Sequence, residues 1–213
     1  YFDGRGKEVQ QRVETDGNRF VVSGWTARNP WGDVNQEYSS TFINSSVFGL
    51  PAIAGQPDRK LYYDGRGRMM KAINYNGGTS TATYLPFEVI TRDANDNDDS
   101  PENIARGQLN TPRRETFDVL RHQTSVIEDL GSATVTTGYR TDVLGQLMEI
   151  SDEHGRMCAY RYDCMGNRLE INHREAGQRK MWYDARRKAV RTLDANGNDL
   201  QAVLDAKGRL IRL

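Results

Sequence analysis

Carboxylates are the residues of this chain whose types and spacing most invite a chemical reading. Asp142, Asp152, Asp163, Asp194 and Asp205 each stand three residues before a glycine, at Gly145, Gly155, Gly166, Gly197 and Gly208. Carboxylates can share general acid and base work when their surroundings push their pKa values apart. A second cluster, Asp93-Ala94-Asn95-Asp96-Asn97-Asp98-Asp99, sets oxygen ligands at alternate positions like the start of a calcium loop. In that frame Asp98 replaces the required glycine and Ile104 stands where the bidentate glutamate belongs, so a solvated acidic loop is the better reading. His122, His154 and His173 are far apart and fall in no H-E-x-x-H or H-x-E frame, which favours surface or strand-packing roles. No nucleophile elbow, P-loop or dinucleotide fingerprint occurs, and Gly65-Arg66-Gly67 is too short to cradle a phosphate. The residues therefore point to no catalytic, cofactor-binding or metal-binding constellation.

The elements that would position these carboxylates give them a different task. Glycines at 145, 155, 166, 177, 197 and 208 recur at an average of 10.5 residues, counting one empty beat that Arg187 fills. A period this short implies repeated strands, each burying its apolar side only against its neighbours. A type I turn favours Asp at its first position, where the carboxylate accepts backbone N–H groups, and Gly at its fourth, where the left-handed conformation completes a hairpin with a bulge. Each strand then has six or seven residues, roughly 20 Å of extended chain. Asp3 with Gly6 and Asp64 with Gly67 carry the same beat in the first third of the chain. These aspartates and glycines read as structural turn residues, and the turn at Arg187 must differ locally.

Alternation supports a sheet with two unlike faces: Cys158, Tyr160 and Tyr162 project one way, Ala159 and Arg161 the other. If Cys158 lies in the strand before the Asp163 turn, extended chain sets it too far from Cys164 for a disulfide, and both are expected as free thiols. Tyr139, Tyr160, Tyr162, Trp182 and Tyr183 could form a carbohydrate platform, although their strand positions favour packing. The organisation is a first group of hairpins over 1–91 with a loop near 44–60, a polar acidic loop over 92–112, and regular strands over 113–213. About eight consecutive strands follow Glu115, and weak helical periodicity makes the chain almost all-β.

Composition narrows the classes. The 213 residues carry 29 basic and 29 acidic side chains, a formal net charge of zero, which argues against a dedicated nucleic-acid surface. No apolar run approaches the roughly 18 residues of a membrane helix, and no signal peptide opens the chain. Tyr1 falls inside what reads as a repeat, so the chain is expected to be a piece of a longer protein.

Tyr63-Asp64-Gly65-Arg66-Gly67-Arg68-Met69 and Tyr162-Asp163-Cys164-Met165-Gly166-Asn167-Arg168-Leu169 resemble the Y-D-x-x-G-R/N-x signature of the Rhs, or YD-repeat, family. Val22-Ser23-Gly24-Trp25-Thr26, continued by Asn29, Gly32, Val34, Tyr38 and Phe42, is similar to the B component of bacterial Tc insecticidal toxins. Tyr84-Leu85-Pro86-Phe87, Asp93-Ala94-Asn95-Asp96, Phe117-Asp118, Ile127-Glu128-Asp129 and Ala176-Gly177-Gln178-Arg179 follow in the same order as there. The resemblance implies antiparallel strands in part of a spiralling hollow β-shell that encloses a cytotoxic polypeptide before delivery. It implies as partners the rest of the shell, a C-type component, the enclosed toxin and, through regions not in this chain, a pore-forming A-type component. Secretion is implied in the same way. The family's gating propeller, its shell-closing aspartate protease motif and its variable toxin domain have no counterpart in the sequence. An adhesion or carbohydrate-binding YD module and the shell of an interbacterial Rhs effector are the competing readings.

Overall fold

The computed structural model describes residues 1–2, 4, 6–17, 19–47 and 58–212. Asp3 and most of the loop expected near 44–60 lie outside the described residues. Twenty strands are β1 (Gln11–Thr15), β2 (Arg19–Ser23), β3 (Thr26–Arg28), β4 (Val34–Glu37), β5 (Thr41–Ile43), β6 (Arg59–Tyr63), β7 (Met69–Asn74), β8 (Thr79–Tyr84), β9 (Glu88–Arg92), β10 (Arg113–Phe117), β11 (Gln123–Asp129), β12 (Thr134–Thr141), β13 (Leu147–Asp152), β14 (Gly155–Tyr162), β15 (Arg168–His173), β16 (Gly177–Tyr183), β17 (Ala189–Leu193), β18 (Asp199–Gln201), β19 (Val203–Leu204) and β20 (Leu210–Arg212). The fold is all-β and antiparallel, with one short helix among the described residues, α1 (Pro101–Ala105), inside the stretch expected to be loop. Ser100 starts α1 by accepting the Asn103 N–H, and Pro101 supplies a backbone preset for the first helical turn. Five residues are too few for any amphipathic period, which is why the sequence carries no helical signal there.

Contacts divide the chain into two units, residues 1–84 with 90–112, and 85–89 with 113–213. The first contains a small sheet ordered β1-β2-β5 and a sheet ordered β8-β7-β6-β4-β3. Val22, 1% exposed, with Leu61 and Ala72 forms its buried apolar set, and the Trp25 and Tyr38 rings meet edge to face at 5.7 Å. The polar stretch 92–112 belongs to this unit.

The second unit is a meander in which β10 to β18 pair in chain order, each antiparallel to the next, followed by the β19-β20 hairpin. From β10 onward there are eleven strands, more than the eight expected, because β18 to β20 are only two or three residues long. Direct cross-strand partners sort the faces. Ile150 faces Cys158, Cys158 faces His173 and Tyr160 faces Ile171 on the side that buries Val126 and Cys158. Arg140 faces Glu149 and Arg161 faces Glu170 on the other, where the charged ends pair at 3.0 and 3.4 Å. Such pairs stabilise a register modestly, by about 0.2–1 kcal/mol each.

Candidate functional site: the turn edge

The aspartates hold their own turns closed. At Asp64, Oδ1 accepts the N–H groups of Arg66 and Arg68 at 2.8 and 2.9 Å, and Oδ2 accepts Arg68 Nε at 2.7 Å. The Gly67 N–H donates to the Asp64 carbonyl and the Asp64 N–H to the Arg68 carbonyl, the pattern of a type I turn closed by a left-handed fourth residue. The same backbone bonds and Oδ1 contacts recur at Asp118, Asp142, Asp163, Asp184, Asp194 and Asp205. Asn29 builds an equivalent turn with its amide oxygen. Asp118 and Asp184 were absent from the sequence-derived turn set because a glycine three residues on was its signal. Their fourth residues are Arg121 and Arg187, at φ 69° and 64°, against φ 79° at Gly145. The turn at Arg187 is therefore not a different turn, contrary to expectation. It is the same turn carrying a side chain in a backbone region that costs a non-glycine residue roughly 1–2 kcal/mol.

The beat of 10.5 residues covers two kinds of connection. Asp118, Asp142, Asp163 and Asp184 close one end of successive hairpins in the meander, while 130–133, 153–154, 174–176 and 194–198 connect the other. Asp142, Asp163, Asp184 and Asp205 lie 21 residues apart, so the repeating unit is a hairpin and not a strand. Asp152 and Gly155 bound a tighter four-residue turn, with Gly155 at φ 96° and only two residues between the paired strand ends. They face each other as strand ends across Glu153-His154, and Asp152 takes the His154 N–H at 2.9 Å and both Arg174 guanidinium nitrogens at 3.0 and 2.6 Å. At the 174–176 connection an imidazole takes the carboxylate's place, with His173 Nδ1 accepting the N–H groups of Glu175 and Ala176 at 3.1 Å. Gly6, at φ 73°, lies between the bridged residues Phe2 and Glu8.

Four tyrosines each tie a strand end to the residue that follows an earlier turn. Tyr162 Oη donates to the Leu147 carbonyl at 3.0 Å, Tyr183 to Arg168 at 3.0 Å, Tyr84 to Met69 at 3.1 Å and Tyr63 to Val34 at 2.7 Å. Each acceptor stands five positions after the residue that opens the earlier turn, Asp142, Asp163, Asp64 and Asn29 respectively. In the Tyr-Asp pairs at 63–64, 162–163 and 183–184 the aspartate thus caps its own loop while the tyrosine ties it to a neighbour two strands away, about 9.5 Å. The turns also touch directly. A Cβ on Gly145 would lie 2.8 Å from His122 Nε2, and one on Gly166 3.3 Å from the Gln146 amide. Before Arg187, the corresponding Asn167 amide bends back to Asp163 Oδ2 at 2.8 Å, which leaves room for a side chain.

Electrostatics follow from the capping. Backbone hydrogen bonds from Arg68 and Arg209 hold Asp64 and Asp205 below the usual carboxylate range, and the Asn167 and Asn198 amides do the same for Asp163 and Asp194. At Asp118 desolvation pulls upward, but the hydrogen bonds of His122 and Leu120 outweigh it and the group is lowered. The Arg174 guanidinium brings Asp152 down to about 2. Carboxylates held this way are ionised and committed, poor acceptors for a substrate proton.

The remaining sequence candidates are spread apart. In the acidic loop Asp93 Oδ1 accepts the Asn95 and Asp96 N–H groups, and Asp96 Oδ1 accepts the Thr111 N–H and hydroxyl at 2.7 and 2.6 Å. Among the described residues no group of three or more His, Cys, Asp or Glu is placed to hold a metal ion, and no helix is long and apolar enough to cross a membrane. Cys158 is a buried free thiol and Cys164 an exposed one. Of the suggested aromatic platform, Tyr160, Tyr162 and Tyr183 are half-buried on the apolar face, and Arg191 stacks over Trp182 with its guanidinium carbon 4.7 Å from the ring centre. The most exposed tryptophan is Trp31, at 82%.

No protein family matches the sequence, and no curated protein does. Solved structures do. Over 99% of its length the chain is similar to TcdB2-TccC3 without its hypervariable C-terminal region, at 20% identity and TM-score 0.84. The figures are the same for a Photorhabdus luminescens Tc holotoxin pore, and TcdB2-TccC3 itself gives 21% identity and TM-score 0.84. The chain spans 12% of the length of each of these chains. The fold is that of a segment of a Tc toxin complex.

Proposed function

We propose that the chain is a wall segment of a Tc-type toxin shell, a structural element that helps enclose a cytotoxic polypeptide and carries no catalysis of its own. The observation that supports this reading is the match of 99% of the chain, at TM-score 0.84, to structures of TcdB2-TccC3 assemblies. An antiparallel meander whose polar turn atoms are consumed by internal caps suits a wall better than an active site. On this reading Asp3, Asp64, Asp142, Asp152, Asp163, Asp194 and Asp205, with Gly6, Gly67, Gly145, Gly155, Gly166, Gly197 and Gly208, serve as turn-forming residues. Segments 1–91, 92–112 and 113–213 are hairpin group, polar insertion and regular repeat. The partners are further shell strands, a C-type component, the enclosed polypeptide and an A-type pore, in a secreted complex. The test is a graft. Residues 1–213 replace the corresponding segment of a Tc B component, and the product is assayed for assembly with its C component and for resistance of the enclosed polypeptide to added protease. Assembly with protection is the expected result, and a protease-sensitive payload in an otherwise folded graft would overturn it.

A further inference from the structure

Two adjacent turns in the first unit enclose a cleft of about 510 Å³ that the turn chemistry does not use up. One wall is the Asn29 turn, which carries Trp31, and the other is the Asp64 turn, which carries Arg66. Leu61, Tyr62 and Tyr63 of β6 line the space between them. Hydrogen bonds brace both walls. Asn29 Oδ1 accepts the Trp31 N–H at 3.0 Å, Arg28 donates to the Gly32 carbonyl at 2.9 Å, and Asp64 Oδ1 holds the Arg66 N–H at 2.8 Å. Tyr63 ties the walls together through its bond to the Val34 carbonyl. Trp31 is 82% exposed, so its ring stands uncovered beside the cleft.

The cleft combines this aromatic surface with short polar groups. Asp33 spends one carboxylate oxygen on the Asn29 amide at 3.2 Å, and Asn35 and Arg66 line the same space. A pyranose ring has the matching chemistry: its C–H face packs on an aromatic plane, while its rim of hydroxyls needs carboxylate and amide acceptors and cationic donors at short range. A flat hydrophobic ligand would leave Asp33 and Arg66 desolvated without partners, and a simple anion would meet the carboxylate of Asp33. We propose that the cleft between the Asn29 and Asp64 turns is a saccharide-binding site, with Trp31 as its stacking surface and Asp33, Asn35 and Arg66 as its polar contacts.

The site goes beyond the shell reading and does not depend on it, since a wall segment could lose saccharide binding and still assemble. The experiment uses the chain of 213 residues on an array of defined glycans, followed by tryptophan-fluorescence titration with the saccharides that score. The expected result is saturable binding that weakens at least tenfold in Trp31→Ala and in Asp33→Ala and is retained in Trp182→Ala. Far-UV circular dichroism of each variant checks that the sheet is intact, and Arg66→Ala supplies a second test on the opposite wall of the cleft if an Asp33 variant misfolds. Absence of any glycan above the Trp31→Ala background, or binding unchanged in Trp31→Ala and Arg66→Ala, would overturn the proposal.

Discussion

Arg187 occupies the left-handed position that glycine holds in its sister turns, and substitution should expose the cost. Relief of roughly 1–2 kcal/mol of backbone strain in Arg187→Gly is offset by about 0.5–1 kcal/mol of added chain entropy in the unfolded state. The net expectation is a rise in melting temperature of about 2 °C, measured by calorimetry. Gly166→Ala should lower it, because the new Cβ meets both the positive φ of 82° and the Gln146 amide. The tyrosine tie makes a second residue-scale prediction. Tyr162→Phe removes only the hydroxyl bonded to the Leu147 carbonyl and should destabilise by about 1 kcal/mol. Tyr75→Phe, at a site 82% exposed, should leave the unfolding midpoint in denaturant unchanged. Asp and Gly were legible as turn formers because their chemistry is local. Arg121 and Arg187 were not, since their sequence offers no reason for a positive φ and only the surrounding hydrogen bonds impose it.

At the scale of the element, the turn is a carboxylate with its backbone donors, and its stability must follow the carboxylate's charge. Asp64, Asp118, Asp152, Asp163, Asp194 and Asp205 are all lowered in the folded protein. A lowered folded-state pKa contributes stability that is fully present above the unfolded value and is lost as pH falls through the folded value. The melting temperature should therefore be flat from neutral pH to about pH 5 and fall below pH 4, as the unfolded-state carboxylates bind protons first. Thermal melts across that range check the sign, and a flat profile down to pH 2 would contradict it. In an NMR titration Arg174→Ala should return Asp152 from about 2 toward the ordinary carboxylate value, since that guanidinium is the largest cause of its shift. The strands were readable from their alternation, but the beat of 10.5 residues concealed the true 21-residue hairpin because chemically different connections, capped by Asp152 or His173, share one glycine spacing with the Asp-capped turns.

For the whole molecule the consequence is unfinished sheet. Among the described residues, β3 of the first unit pairs only with β4, and β18 of the second only with β17. A strand with one side unpaired offers backbone donors and acceptors to another chain, and light scattering should detect association that rises with concentration. A monodisperse monomer at high concentration would count against it. The amino-acid sequence by itself determined the all-β class, the turn positions bearing both Asp and Gly, and two unlike sheet faces, because hydrogen bonds within five residues and an alternation of two are properties of local chain. The tertiary structure alone decided which strands are neighbours, which tyrosine hydroxyl reaches which carbonyl, and that Trp31 rather than Trp182 is left uncovered. Those depend on groups brought together across strands, such as Tyr63 on Val34 and Arg191 on Trp182, and chain spacing carries no record of them until the register is set.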